Sequence, residues 1–170
     1  GNGIPDECDI VNCAGDPACA DCNGNGILDS CDIAGGVITE IIDEAGDGAG
    51  NGLAIPFGIA VDAAGNAYVA GFSSNVFKIT PAGVITEIID STGDGKGTAL
   101  DGPHSIAVDV LGNTYVTGSS SDNAFKITPD GVITEIIDAT GDGAGNNLVE
   151  PSGIAVDATR NVYMAGFSSH

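Results

Sequence analysis

Basic residues are almost missing from this sequence, which has four Lys and Arg against 24 Asp and Glu and a net charge of -20. Nucleic-acid binding through the protein's own surface is therefore excluded, because phosphate contacts depend on Lys and Arg. The same charge disfavours docking on anionic lipid. No apolar stretch approaches the roughly 18 residues that a membrane helix needs, so we expect no membrane insertion.

Trp is absent and Met occurs once, whereas Gly occurs 27 times. Hydrophobic residues make up 42% of the chain and charged residues only 16%, so the composition is not that of a disordered protein. Strands joined by many turns are the structure that such a composition favours over helices. We therefore predict an all-β fold for the 170 residues.

Two regions differ in composition, with a boundary near Gly35 and Gly36. Residues 1–36 contain seven of the 24 acidic residues, all five cysteines and no Lys or Arg. Residues 37–170 contain the other acidic residues and all four basic ones. The sequence therefore predicts a small Cys- and Asp-rich segment over 1–36 and a larger domain over 37–170.

The larger region is an internal repeat. Two motifs recur in register, Val-Ile-Thr-Glu-Ile-Ile-Asp at 37–43, 84–90 and 132–138, and Ile-Ala-Val-Asp at 59–62, 106–109 and 154–157. The period is 47 residues and then 48. The extra residue falls where 72–77 becomes 119–125, and a single insertion there is best absorbed in a loop.

Each repeat can be divided into four β segments, as at 58–62, 66–71, 76–80 and 84–90. Four antiparallel strands in roughly 40–50 residues are typical of a β-propeller blade. With a first strand at 37–43, the total of 11 strands gives a partial propeller of about three blades' worth of four-stranded units. Because propellers need roughly four to eight blades, we expect a fragment, or several copies that self-assemble through open blade edges.

A longer pattern, Pro-x-Gly-Ile-Ala-Val-Asp-x-x-Gly-Asn-x-Tyr-Val, begins at Pro56, Pro103 and Pro151. Ser105 replaces its Gly in the second copy, and Arg160 replaces the later Gly in the third. This pattern resembles the NHL-repeat family of β-propellers over about 37–170. The resemblance implies the fold but not a function, since one propeller fold serves many activities.

His104 is the one histidine at a position of functional interest. Some NHL-like propellers are lyases or lactonases that gather His and carboxylates around a central channel, and the resemblance places His104 at the mouth of such a channel. The equivalent residues are Phe57 and Ser152, so no ring of His is expected. His170 is the last residue of the sequence. We therefore favour a structural or solvated His104 over a catalytic one.

A complete twelve-residue calcium loop is predicted at 21–32, because its spacing places hard oxygen ligands where Ca²⁺ needs them. Its ligands are Asp21, Asn23, Asn25, Asp29 and Asp32, with the carbonyl of Ile27. The end of a second, partial loop supplies weaker candidate ligands, Asn2, Ile4, Asp6 and Asp9. The alternative is a polar turn cluster without metal.

These loops resemble the calcium loops of dockerins and of thrombospondin type 3 repeats. A dockerin needs a helix after the loop, whereas Gly35 and Gly36 follow closely here and disfavour one. The thrombospondin-like stalk is therefore the closer analogy. It implies a structural Ca²⁺ that holds the ligand carboxylates together.

The five cysteines favour disulfides over other chemistry. Cys22 and Cys31 occupy positions 2 and 11 of the calcium loop, and Cys13 and Cys19 are the remaining candidate pair. Two bridges among five cysteines can form in about 15 ways, so this pairing is a hypothesis. A Cys₄ zinc site is the alternative, and haem attachment is excluded because Asn23 follows Cys22. Disulfides and calcium together predict a secreted or cell-surface protein of bacterial type.

Two sets of repeated acidic residues remain. Gly-Asp-Gly-x-Gly stretches at 46–50, 93–97 and 141–145 lack the context of a phosphate loop. Their carboxylates suggest either a weak surface Ca²⁺ site or a Gly-rich connection, and we favour the connection. The aspartates that close the inner strands are predicted to form turns rather than to catalyse: Asp62, Asp109 and Asp157.

The function that these observations favour is non-enzymatic. We expect a calcium-binding scaffold module in which the propeller presents a surface to a protein or glycan ligand. The alternative is a fragment of a propeller lyase or lactonase whose other metal and catalytic ligands lie in missing blades.

Overall fold

The computed structural model describes residues 40–167, which form ten β-strands and no helix. The strands are β1 (Pro56–Val61), β2 (Ala67–Gly71), β3 (Asn75–Ile79), β4 (Ile85–Ile89), β5 (Pro103–Val108), β6 (Thr114–Gly118), β7 (Asn123–Ile127), β8 (Ile133–Ile137), β9 (Pro151–Val156) and β10 (Val162–Gly166). They pair into three antiparallel sheets, β1-β2-β3-β4, β5-β6-β7-β8 and β9-β10. The predicted all-β partial propeller is confirmed. Within this range no helix is available to span a membrane.

Contacts divide the chain into two units, Gly1–Glu40 and Ile41–His170, and every strand lies in the second. The composition boundary predicted near Gly35 lies outside the described residues. The division into a segment over 1–36 and a domain over 37–170 therefore stays a prediction.

The four β segments predicted for each repeat become the four strands of each complete sheet, with bounds that agree within two residues. β-Branched residues and period-two alternation favour these strands, and Gly-containing turns separate them. The strand predicted at 37–43 is wrong over 40–43, where the chain forms no strand. The equivalent strands β4 and β8 each pair with the third strand of their own sheet, whereas none of the ten described strands pairs with residues 40–43.

The single-residue insertion between repeats lies in a loop, as predicted. Residues 72–74 join β2 to β3, whereas 119–122 join β6 to β7. The strand pairing on either side is unchanged, with Gly71 opposite Asn75 and Gly118 opposite Asn123. A longer turn thus accommodates the extra residue without shifting the register, which would turn every side chain to the other face.

The main core lies between the first and second sheets. It consists of buried apolar side chains from both sheets and from the connection between them: Tyr68, Ala70, Val76, Ile89, Leu100, Ile106, Val116, Phe125 and Ile127. The first strands lie side by side, with β1 next to β5 and β5 next to β9. The sheets therefore stack face to face as propeller blades do, and burial of each large apolar side chain contributes about 1.5–3 kcal/mol.

A second core covers the other face of the first sheet. Leu53, Val69, Phe77 and Ile79 are buried there, and Ile42 packs against them. Ile42 is the repeat equivalent of Ile89, which packs in the main core. Residues just before the first sheet therefore make one of the contacts that a preceding blade would make.

Candidate binding site at the start of the inner strands

The second residue of each inner strand marks the candidate site. Phe57, His104 and Ser152 hold this position in β1, β5 and β9, each directly after a proline. The rings of Phe57 and His104 stack with centroids 4.7 Å apart and planes 17° apart. Nδ1 of His104 lies 3.1 Å from the carbonyl oxygen of Ser152. The fold thus brings three equivalent positions into contact, and His104 lies at the mouth of the inner strands as predicted.

The residue before each of these prolines has a positive φ. The angles are 47° at Ile55, 58° at Gly102 and 46° at Glu150. Each carbonyl accepts a hydrogen bond from the residue after the second strand of its sheet: Phe72 N to Ile55 O, Ser119 N to Gly102 O and Phe167 N to Glu150 O. The left-handed conformation is costly for a β-branched residue such as Ile55, and such strain is common at functional sites.

Large apolar side chains are exposed around this mouth. Phe57 is 53% exposed and Phe167 is 81% exposed, and Ile55 and Phe72 are also exposed. Phe57 makes an edge-to-face contact with Phe72, with ring centroids 6.0 Å apart. We call Ile55, Phe57, Phe72, His104 and Phe167 the mouth cluster. Soluble proteins seldom expose aromatic residues in a group unless the surface binds something.

A cleft of about 420 Å³ opens beside the mouth cluster. The residues that line it include His104, Ser120, Asp122, Glu150, Ser152 and Phe167. Oδ1 of Asp122 accepts a hydrogen bond of 2.7 Å from the backbone N–H of Glu150, which fixes one acidic residue against the other. No Lys or Arg is among the described residues that line this cleft. The cleft therefore combines an aromatic wall with negative charge.

The aspartates that close the inner strands form turns, as predicted. Oδ1 of Asp109 accepts hydrogen bonds from the backbone N–H groups of Leu111 and Asn113, and Oδ2 accepts from the Asn113 side chain and the Tyr115 hydroxyl. Asp62 and Asp157 make the same four contacts in their own repeats. Each carboxylate is thus engaged by at least four hydrogen bonds within its own turn, and Asp157 accepts a fifth from the Thr159 hydroxyl.

The hydrogen bonds around these aspartates determine the ionisation of the groups that form them. Burial raises the pKa of the Asp109 carboxyl, but the hydrogen bonds from Asn113, Leu111 and Tyr115 outweigh burial and leave this pKa below its usual value of 3.8. Burial, together with the Asp62 carboxylate, raises the pKa of Tyr68 to about 12. Asp62, Asp109 and Asp157 are therefore ionised at neutral pH, and Tyr68 and Tyr115 keep their protons because the pKa of each is raised.

The Gly-Asp-Gly-x-Gly stretches are structural turns in the connections between sheets. Gly93 has a φ of 63°, and a Cβ there would lie 1.9 Å from the carbonyl oxygen of Thr98, so only glycine fits. Oδ1 of Asp94 accepts hydrogen bonds from the backbone N–H groups of Lys96 and Thr98. Among residues 40–167 no three His, Cys, Asp or Glu side chains converge on a metal position. The hydrogen bonds of Asp94 and the positive φ of Gly93 make this stretch a structured connection between sheets.

The predicted metal and disulfide residues lie outside the described residues, and so does His170. They are Asn2, Ile4, Asp6 and Asp9 in the partial loop, Asp21, Asn23, Asn25, Ile27, Asp29 and Asp32 in the complete loop, and Cys13, Cys19, Cys22 and Cys31. The calcium and disulfide hypotheses therefore remain predictions.

The sequence prediction missed most of the mouth cluster. His104 was considered as a candidate site residue because it is a histidine, whereas Phe57, Phe72 and Phe167 were not predicted as site residues. A signal was present, since the equivalent positions differ among the repeats: Phe57, His104 and Ser152 form one set and Phe72, Ser119 and Phe167 another. Positions that vary inside an otherwise regular repeat are free of the packing constraint that fixes the others.

The stacked sheets and their repeated turns give the chain the fold of a partial β-propeller. Residues 44–78 and 95–126 match the family model described as Beta-propeller repeat. These matches and the similar solved structures support a β-propeller family for the repeats. No curated protein is significantly similar to the sequence.

Several solved structures share the fold. A chain in the nidogen/laminin complex is 26% identical, with a TM-score of 0.53 over 68% of this chain and 41% of that one. Hydrazine synthase of Kuenenia stuttgartiensis is 21% identical, with a TM-score of 0.51 over 67% of this chain and 30% of that one. A putative gluconolactonase is 17% identical, with a TM-score of 0.50 over 66% and 41%. The chain spans less than half the length of each.

Proposed function

We propose that this chain is a non-enzymatic binding module of a secreted or cell-surface protein, and that its mouth cluster receives a basic segment of a partner protein. The single observation that carries the proposal is the exposed aromatic cluster beside the acidic cleft at the start of the inner strands. Within the β-propellers, the sequence pattern favours the NHL-repeat class for this module.

The chemistry of the mouth cluster supports this kind of partner. Exposed aromatic rings contribute much of the binding energy in protein interfaces, and they also attract Lys and Arg side chains through their faces. Glu150 and Asp122 add charge of the matching sign. The net charge of -20 would speed the approach of a basic partner at low ionic strength. A chain of similar fold also occurs in the nidogen/laminin complex.

The partner chemistry can be tested with short synthetic peptides that alternate Lys with Phe, Glu with Phe, or Lys with Ser. We expect the full chain to bind the Lys–Phe peptide best in fluorescence anisotropy, because only that peptide matches both the rings and the charge. Replacement of Phe57 by Ala should weaken this binding by about tenfold, since a central aromatic side chain contributes on the order of 1–2 kcal/mol. The variant Glu150→Gln should lower the salt dependence of the affinity.

Val84→Ala is the matched control for the peptide experiment, because Val84 is exposed like Phe57 but lies in the turn before β4. Equal binding of the three peptides, or equal loss in the control, would refute the proposed site. Binding of a neutral oligosaccharide in place of the basic peptide would identify a glycan ligand instead. Turnover of a lactone that the variant His104→Ala abolishes would favour the enzymatic alternative.

The proposal includes a structural Ca²⁺ in residues 21–32, held by Asp21, Asn23, Asn25, Asp29 and Asp32 with the Ile27 carbonyl, and disulfides that brace residues 1–36. Support comes from the spacing of oxygen ligands in the sequence. In this proposal residues 1–36 form a stalk that positions the binding module.

Chelation of calcium should expose residues 1–36 to proteolysis and leave the strands protected. These residues contain no Lys or Arg, so the protease must cleave at acidic residues rather than as trypsin does. With EGTA we expect at least about fivefold faster cleavage within 1–36, because like-charged ligands repel one another without a cation. The variant Asp21→Ala should be cleaved fast with or without EGTA, whereas Asp142→Ala should behave as the unmodified protein. Identical cleavage with calcium and with EGTA would contradict a structural Ca²⁺.

A further inference from the structure

The same contact joins each blade to the next. The first two strands of one sheet pack on the first strand of the following sheet, with β1 and β2 against β5, and β5 and β6 against β9. Close approach is built into this contact, since a Cβ on Gly58 would lie 2.8 Å from the carbonyl oxygen of His104. At the second contact the N–H of Ile154 donates to the hydroxyl of Ser105.

One half of this contact is exposed on β1. Ile59 is 67% exposed, whereas its repeat equivalent Ile106 is 6% exposed and packs in the main core. Val61 is also exposed, although its equivalent Val108 packs against the same core. We call Ile59 and Val61 the β1 face.

The other half is exposed on β9 and β10. Tyr163 is 58% exposed, whereas the equivalent Tyr115 is 4% exposed. Ala165 is exposed too, although the equivalent Ala70 is fully buried in the main core. We call Tyr163 and Ala165 the β10 face. Gly153 on β9 is the repeat equivalent of Gly58. Only the Cβ of Ala165 lies near the position that a Cβ on Gly153 would occupy.

The two faces are complementary because their repeat equivalents already contact each other between the first and second sheets. The β10 face has the residue types that β2 presents to β5, and the β1 face has those that β5 presents to β2. The strands of both faces contain no charged residue, so their contact would bury no unpaired charge.

We infer that two copies of this chain associate head to tail, with the β10 face of one copy on the β1 face of the next. Such an interface is heterologous, since it joins two different surfaces, and it leaves one face of each kind open for further copies. The assembly therefore extends, or closes into a ring if the rotation per copy allows. Because each copy has a net charge of -20, added salt strengthens the association by screening repulsion outside the contact.

Sedimentation velocity on the full chain, over a range of concentration and salt, tests the inference. The protein should form larger species as concentration or salt rises. The variants Ile59→Glu and Ala165→Glu should each weaken association at least about tenfold, because each places a charge in the apolar contact. Val84→Glu is the matched control and should associate like the unmodified protein. Both substituted positions are exposed in the single chain, and Ile59→Thr with Ala165→Ser provide milder replacements if either charged variant fails to fold.

A mixture of the two variants distinguishes a head-to-tail contact from any other. Ile59→Glu keeps an intact β10 face and Ala165→Glu keeps an intact β1 face, so together they should form a species of two chains and nothing larger. A single-chain mass under all conditions would overturn the inference. So would association of either variant at the strength of the unmodified protein, or failure of the mixture to pair when the unmodified protein associates.

Discussion

Replacement of Phe125 by Ala should destabilise the protein by about 3–5 kcal/mol, the range for removing a buried aromatic ring. Phe125 is fully buried in the main core, where the first and second sheets meet. Its ring tip also lies next to Gly93, so the loss would leave a cavity bordered by two strands and a rigid turn. Surrounding groups could collapse into that space only in part. Urea unfolding followed by far-UV circular dichroism measures the change.

Phe167→Ala is the control for the core substitution, because Phe167 is 81% exposed. It should change the free energy of unfolding by less than about 0.5 kcal/mol, as surface substitutions do. If Phe125→Ala does not fold, Phe125→Leu should still show a loss of about 1 kcal/mol, since leucine fills part of the space. A loss of similar size for Phe167→Ala and Phe125→Ala would show that the core has been assigned wrongly.

Replacement of Asp109 by Ala should destabilise the protein by about 3 kcal/mol. The change removes four accepted hydrogen bonds and leaves the buried amide of Asn113 and the buried hydroxyl of Tyr115 without a partner, each of which costs about 1–3 kcal/mol. Asp157→Ala removes the equivalent four contacts and a fifth from the Thr159 hydroxyl, but Asp157 is only half-buried and its partners Asn161 and Tyr163 are exposed, so water replaces these contacts. Its loss should be clearly smaller, and equal losses would contradict the role assigned to burial.

The effect of Asp109 should depend on pH. Its pKa is lowered in the folded protein, so the ionised form stabilises the fold above the unfolded value of about 3.8, and this stabilisation is lost as the pH falls toward the lower folded value. The difference in unfolding free energy between the protein and Asp109→Ala should therefore be constant near neutral pH and shrink below about pH 3.8. A difference that grows with acid would mean that the pKa of Asp109 is raised instead.

Much of the fold could be predicted from the sequence because the repeat makes each signal visible more than once. The position of the inserted residue identified a loop, and the aspartates at the ends of the inner strands identified turns. The strand predicted at 37–43 was wrong over 40–43 because repeated sequence alone does not determine strand pairing. The sequence of residues 40–43 matches Glu87–Asp90, but a strand forms only where a neighbouring strand pairs with it, and none of the ten described strands pairs with residues 40–43.

The candidate site was harder to predict than the fold. The contact between Phe57 and His104 joins residues one repeat apart, and it depends on how two inner strands lie side by side. The exposure of Phe167 likewise depends on packing between sheets. Only the residue type of His104 and its place before an inner strand were visible in the sequence.

The Asp–Asn–Tyr network lies entirely within one repeat, from Asp109 to Tyr115 and at the equivalent places in the other two. Loss or duplication of a repeat by recombination would therefore leave the polar groups of every remaining turn satisfied. The contacts that change at such a junction are mainly apolar and nearly the same from one repeat to the next, with a few hydrogen bonds such as that from the Ile154 N–H to Ser105. A change in the number of repeats would thus leave the turns as they are, and the variable mouth residues would be the positions where one repeat differs from the next.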